Sequence, residues 1–291
     1  MKIGLPRNLA ESPVGDHDVR FRDWRASLPA VVADLAGRWE LTVGEPFEPG
    51  GQCSWVAPAR TLAGDDVALK VGWRHYEADH EAAGLRFWDG AGAVRVHRAE
   101  AYDRTSALLL ERCVPGDTLA SARPAPECDE VVAGLLRRLW RTPPTGHPFR
   151  ELTTMCDAWA DAYERTVEQA PQPLDPGLAR AGIELMRELP RTATDSVVLC
   201  TDLHPQNVLA ARREPWLMID PKPYIGDPCY DALQHMLNTD RLVADPEALS
   251  DRMAAMLDLD PRRLRLWLFA RCVQEGPTWP GLDGVAVRLA P

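Results

Sequence analysis

Apolar residues recur with a helical period from Phe21 to Trp39, at positions 21, 24, 28, 31, 32, 35 and 39, which predicts a single apolar helix face. Pro29 falls inside this run and is read as the start of a second helix. Ahead of it, residues 1–18 carry Pro6, Pro13 and Gly15 with little periodicity and read as a loose arm. The pattern then changes. Leu41–Val43, Ser54–Ala57 and Val67–Val71 are short β-like runs. Gly50-Gly51 separates the first two, and a Gly64-Asp65-Asp66 turn precedes the third, which is a hairpin signal. His75–Trp88 reads as a helix, and Val94–Val96 and Ala107–Glu111 as two further strands.

Past a break at Pro115-Gly116 the stripes are helical: Glu127–Trp140, Leu152–Ala170, Leu178–Leu189, Pro246–Leu257 and Arg263–Gln274, with Pro261 opening the last. Three β-like runs interrupt them, Val197–Leu199, Val208–Ala211 and Trp216–Ile219. The tail from Pro277 to Pro291 is rich in Pro and Gly and is predicted to be irregular. The reading is an α+β chain with a lobe boundary near Cys113–Pro115. Residues 1–113 form a small N-terminal lobe with an antiparallel sheet, and residues 114–291 a larger, mainly helical C-terminal lobe.

Composition narrows the class. A chain of 291 residues with 45% hydrophobic and 26% charged residues can bury a sizeable core. A net charge of −10 argues against nucleic acid as the main partner; it suits a cationic substrate, or serves solubility alone as in many acidic proteins. Seven cysteines, an odd number with no C-x-x-C spacing, argue against a disulfide framework or a zinc site and fit a reducing compartment. The N-terminal stretch lacks the apolar core of a signal peptide, and no apolar run approaches the ~18 residues of a membrane span. The expectation is a cytoplasmic, monomeric protein with no membrane partner.

Residues 199–231, LCTDLHPQNVLAARREPWLMIDPKPYIGDPCYD, carry the candidate chemistry. Asp202 is followed five positions later by Asn207, and Asp220 closes the apolar run that begins at Trp216. If the flanking strands pair, Asn207 and Asp220 approach each other. A carboxylate with an amide oxygen suits Mg²⁺, which keeps waters and takes its other ligands from phosphates. Asp202 is then free to orient a hydroxyl and accept its proton. Upstream, Lys70 sits inside an apolar strand. It faces solvent if one sheet face is open, and needs an anionic partner if both are covered. Glu77 and Glu81 offer that partner. Gly50-Gly51 is either a plain turn or one whose amides approach a phosphate. The order and spacing of Asp202, Asn207 and Asp220 match the D-x-x-x-x-N plus metal-binding Asp of kinases.

TDLHPQNVL followed by WLMIDPKPYIGDPCYDAL resembles the aminoglycoside phosphotransferase family. Within it the branch of streptomycin 6-kinases and hydroxyurea phosphotransferases is most similar. The likeness extends more loosely back through LERCVPG, YEADHEA and ALKVGW. It implies a protein-kinase-like two-lobed fold in which the Lys70 region forms the other wall of a cleft. It implies Asp202 as catalytic base, Asn207 and Asp220 as Mg²⁺ ligands, and Lys70 on the ATP phosphates with Glu81 (or Glu77) as its ion-pair partner. Gly50 and Gly51 then lie over the phosphates, and backbone groups from Glu111 to Cys113 meet the adenine. Asp227 is expected to brace the catalytic loop, and Asp231 to cap a helix. His204, just before Pro205, is expected to hydrogen-bond within its loop. Two departures stand out: Cys200-Thr201 replaces the His-Gly of many relatives, and the turn at Gly50-Gly51 is poorer in glycine than a protein kinase's.

The function this implies is ATP-dependent O-phosphorylation of an aminoglycoside, streptomycin first, as antibiotic inactivation. Hydroxyurea or another hydroxylated metabolite is the alternative acceptor. A kinase-fold binding protein without turnover is the lesser alternative, disfavoured because lysine, base and metal residues are all present.

Overall fold

The computed structural model describes residues 3–169, 174–237 and 240–291, apart from the side chain of Glu77. The chain divides into two compact units, the first from Met1–Gly116 and Ala210–Leu217, the second from Asp117–Leu209 and Met218–Pro291.

The first unit is built on an antiparallel sheet of β1 (Leu41–Val43), β2 (Ser54–Thr61), β3 (Asp66–Trp73), β4 (Val96–Tyr102) and β5 (Thr105–Glu111), in the order β1-β2-β3-β5-β4. The helix Val19–Arg38 lies on one face. Its buried Phe21, Trp24, Leu28, Val32 and Leu35 join Trp55, Leu69, Val71 and Trp73 in a single core. The Trp73 ring meets those of Phe21 and Trp24, each at 5.8 Å. Asp18 starts this helix by accepting from the Arg20 amide at 2.8 Å. Pro29 does not divide it, because the apolar face continues on both sides and burial outweighs the missing donor.

The N-terminal arm is not loose. Arg7–Ala10 and Val14–His17 are short helices, Leu9 is buried, and the Trp55 indole donates to the Gly4 carbonyl at 2.9 Å. The predicted helix over 75–88 is a 3₁₀ turn, Tyr76–Ala78, followed by an α-helix, Glu81–Trp88. The strand expected at 94–96 runs instead along Val96–Tyr102. It is an edge strand with no buried residue, so its polar sequence hides it from a hydrophobic reading.

In the second unit the helices Leu152–Gln169, Pro176–Glu188 and Pro246–Leu257 pack against Pro261–Glu275, and Ala125–Leu139 packs on Pro246–Leu257. That last helix buries Leu264, Trp267, Leu268 and Phe269 among others, on all sides of its axis. Ala170, the expected end of the Leu152 helix, lies outside the described residues. A three-stranded sheet has Tyr224–Gly226 at its centre, parallel to Arg150–Glu151 and antiparallel to Val197–Leu199. The tail is a helix from Leu282 to Leu289. Leu282, Val285, Ala286 and Leu289 form its buried face, a period masked in the sequence by the neighbouring Pro and Gly residues. Among the described residues no helix is long and apolar enough to cross a membrane.

Gly182, on Pro176–Glu188, lets that helix approach Pro261–Glu275 closely: a Cβ there would stand 2.5 Å from the Val273 side chain. Gly182→Ala is therefore expected to destabilise the protein by about 1–3 kcal/mol through overpacking, despite alanine's better helix propensity. Urea denaturation checks this, and an unchanged midpoint would remove the close approach.

Candidate active site

The second unit presents Asp202 on a loop that leaves the buried strand Val197–Leu199. The chain turns sharply at Thr201, whose φ of +51° is unusual for a branched residue. Asp231 holds that turn. Its carboxylate accepts from the Cys200 amide at 3.1 Å, the Thr201 amide at 2.6 Å and the Trp140 indole at 3.0 Å. The Thr201 hydroxyl donates to the Lys222 carbonyl at 2.5 Å, and the Lys222 amide returns a bond to the Cys200 carbonyl at 2.9 Å. Asp231 is fully buried, and desolvation pushes its carboxyl up despite these donors.

Asp202 stands against two basic side chains. Lys222 Nζ lies 3.2 Å from Oδ2, and His204 Nε2 3.8 Å from Oδ1. Burial raises its proton affinity most; Lys222 and His204 oppose that, and the charge of Asp220 adds to it. The net result is a carboxyl above its ordinary 3.8, which is a better proton acceptor than an exposed aspartate. His204 also pairs through Nδ1 with Gln206 Oε1 at 2.7 Å, the local role its sequence position suggested.

Asn207 closes the loop. It ends the 3₁₀ turn Pro205–Asn207, and its Nδ2 donates to the Asp202 carbonyl at 3.0 Å. The strands Val208–Ala210 and Trp216–Met218 pair, and the Ile219 amide donates to the Asn207 carbonyl at 2.9 Å. This sets Asp220, at φ +54°, beside the loop. With Nδ2 engaged, the amide oxygen of Asn207 is the end left for a cation. One carboxylate and one amide oxygen are hard donors that suit Mg²⁺. No group of three or more His, Cys, Asp or Glu gathers as a metal cluster among the described residues.

In the first unit, β3 is buried at every residue after Asp66, so both sheet faces are covered. Leu69 and Val71 point into the helix-backed core, and Lys70 points the other way. Its Nζ meets Glu81 Oε1 at 2.7 Å, with both side chains at least nine-tenths buried. The open choice for Lys70 thus resolves to a paired ammonium. The side chain of Glu77, the other candidate, lies outside the described residues.

Gly50 has φ +75°, and a Cβ there would stand 2.4 Å from Pro6. Its carbonyl accepts from Asn8 Nδ2 at 2.9 Å. Gly50 is therefore required by packing on the N-terminal arm, and Gly51 follows it with space limited by Ser54. The Glu111 amide donates to the Arg95 carbonyl at 2.8 Å. Burial would raise the Glu111 carboxyl, but Arg213, bonded to it at 2.8 and 2.9 Å, and the Arg95 amide hold it below the usual range. Burial pushes the Cys113 thiol up to about 12.

Four residues near the site depart from the sequence expectation or lie outside it. Asp227, expected to brace the loop, caps the helix Pro228–Asp231 by accepting from the Cys229 amide at 2.9 Å, and pairs with Arg263 at 2.6 Å and Trp267 at 2.7 Å. Asp231, expected to cap a helix, braces the loop. Lys222 sits inside the IDPKP segment, where its basic side chain between two prolines is the local signal for it. Arg213, on the hairpin tip, has no signal short of the fold.

Residues 38–282 match the family model described as aminoglycoside/hydroxyurea antibiotic resistance kinase. The chain is 36% identical to a streptomycin 6-kinase of Streptomyces griseus, over 99% of this chain and 94% of that protein. It is 34% identical to a hydroxyurea phosphotransferase of Kitasatospora aureofaciens, over 97% and 82%. Among solved structures, a choline/ethanolamine kinase family protein from Mesorhizobium loti aligns at a TM-score of 0.57 and 16% identity, over 92% of each chain. An aminoglycoside phosphotransferase of Streptomyces rimosus, in complex with ADP and streptomycin, aligns at 0.52 and 19%, over 87% of this chain and 99% of that one. The fold is thus that of the protein-kinase-like phosphotransferases.

Proposed function

The chain belongs to the aminoglycoside/hydroxyurea antibiotic resistance kinase family, and on that premise we propose that it phosphorylates a hydroxyl group of streptomycin with ATP. The observation that carries the reading is the Asp202 loop. Its carboxylate has raised basicity and stands beside Lys222 and His204, with Asn207 tied to its own carbonyl. Asp202 orients the acceptor hydroxyl and takes its proton as the oxygen attacks the γ-phosphorus; the β–γ bond breaks and ADP leaves. Lys222 keeps the Asp202 carboxylate aimed before substrate arrives. Asn207 and Asp220 would hold Mg²⁺, which supplies charge neutralisation at the phosphates.

The nucleotide role falls to residues 1–113 and the catalytic and acceptor role to residues 114–291. Lys70, fixed by Glu81, would neutralise phosphate charge, Gly50-Gly51 would lie over the phosphates, and the backbone from Glu111 to Cys113 would receive the adenine. Lys70→Ala is expected to raise the KM for ATP by about 10–100-fold, the worth of a charged hydrogen bond. It also leaves Glu81 buried and unpaired, so a fall in melting temperature should accompany it. An unchanged ATP KM would confine Lys70 to a structural role.

The deciding experiment is ATP consumption and product mass with streptomycin, other aminocyclitols and hydroxyurea. A shift of one phosphate on streptomycin supports the reading. Transfer to hydroxyurea alone would instead favour the second activity found among the relatives.

A further inference from the structure

A cavity of about 160 Å³ opens in the second unit where the residues after Pro261–Glu275 meet Leu237 and the helix Asp240–Ala244. Buried Leu237, Leu242 and Leu282 line its floor, and Trp279, Val243 and Asp240 complete its walls. Trp279 and Val243 are 41% and 53% exposed, high for large apolar residues. A pocket for a whole drug-sized ligand spans roughly 300–1,000 Å³, so this one fits a single group of a larger molecule.

Charge selects that group. Of the acids between Asp227 and Glu275 that could meet a cation, three are already engaged. Asp227 is held by Arg263 and Trp267, and Asp231 by Trp140 and the loop amides. Glu275 is held by Arg271 at 3.0 Å and the Thr278 hydroxyl at 3.2 Å. Asp240 is exposed and lines the cavity, with no hydrogen bond or ion pair among the described residues. It begins the short helix Asp240–Ala244, yet no described amide donates to its side chain, so capping does not account for it. The cations nearby are taken: Arg241 and Arg252 by Asp129, and Arg288 by Glu247 at 2.7 Å. Asp129 also accepts from His235 Nε2 at 2.8 Å. One buried carboxylate thus pins the chain on both sides of Leu237 and Asp240. Across the cavity, the Trp279 amide is anchored on the Glu275 carbonyl at 2.9 Å.

Resting on the reading of a cationic antibiotic as acceptor, we infer that this cavity takes a guanidinium group of the substrate, with the Trp279 ring against its face and the Asp240 carboxylate at its edge. A guanidinium suits it better than an ammonium, because it is planar, weakly hydrated, stacks on indole and donates two parallel N–H bonds to a carboxylate. Asp240 and Trp279 are specificity residues; neither takes part in phosphoryl transfer.

The test is calorimetric titration of the full chain with streptidine, the bis-guanidinium cyclitol of streptomycin, using wild type, Asp240→Asn and Trp279→Ala. Kinetics with streptomycin run in parallel. Binding weakened by about 10-fold or more in each variant is expected. The KM for streptomycin should rise to match, with the KM for ATP, kcat and melting temperature unchanged. Equal streptidine binding by all three proteins, or none by wild type, overturns the inference. So does streptomycin phosphorylation indifferent to both substitutions, which leaves the reaction standing. If wild type binds streptidine through Asp240 and Trp279 but phosphorylates no streptomycin, the cavity stands and the proposed reaction falls.

Discussion

Asp202→Asn is expected to lower kcat by about 10²–10⁴-fold, the range of a lost general base, and to leave the melting temperature unchanged or raised. The second half follows from the direction of its shift. A carboxyl held above its ordinary value contributes stability below that value and loses it as pH rises through the shifted one. At neutral pH the ionised Asp202 therefore costs stability, and asparagine removes the charge at nearly constant shape. Lys222 is about one-third exposed and can be solvated without its partner. The same direction sets the pH profile. Activity requires the unprotonated carboxylate, so the acidic limb of kcat/KM should lie above 3.8 and vanish in the variant's residual rate. A variant with full turnover would remove Asp202 as the base, and one that unfolds would make the residue structural.

Asp231→Ala should give the opposite signature, a loss of stability of about 3–5 kcal/mol and a loss of activity that follows from it. The two amides at Cys200 and Thr201 and the indole of Trp140 would be left buried without an acceptor. Each such donor costs about 1–3 kcal/mol, partly recovered by no longer desolvating a carboxylate. Thr201 would also lose what holds it at φ +51°. Denaturation with urea and kinetics on the surviving fraction separate the two variants. If Asp231→Ala melts like wild type, the brace lies elsewhere.

The contrast between these aspartates shows where sequence reading stops. Asp202, Asn207 and Asp220 were legible because one short loop and one hairpin bring them together, and local spacing is visible in a sequence. Asp227 and Asp231 share a helical turn, and nothing local says which carboxylate meets Cys200 and which meets Arg263. That choice depends on the packing of Pro228–Asp231 against Pro261–Glu275 and Val197–Leu199. The sequence leaves Lys70 open for a similar reason. Its fate rests on Glu81 covering the second face of the sheet, a contact made by a different element. The edge strand Val96–Tyr102 and the terminal helix failed in opposite ways. The first is too polar to show its period, and the second shows one only after its Pro and Gly neighbours are discounted.

The Glu111–Arg213 pair changes what counts as a transferable piece of this enzyme. The first unit looks like an N-terminal module, yet Arg213 reaches Glu111, the Gly90 carbonyl and the Ala93 carbonyl from nearly a hundred residues past its apparent end. A ribosome that has made residues 1–116 has made a sheet whose Glu111 carboxylate still lacks its guanidinium. The module is finished only when the hairpin tip emerges, after most of the second unit's sequence has been translated. A graft of the N-terminal half onto a relative would inherit that debt, and must carry residues 210–217 with it to keep the Glu111 end of the sheet closed.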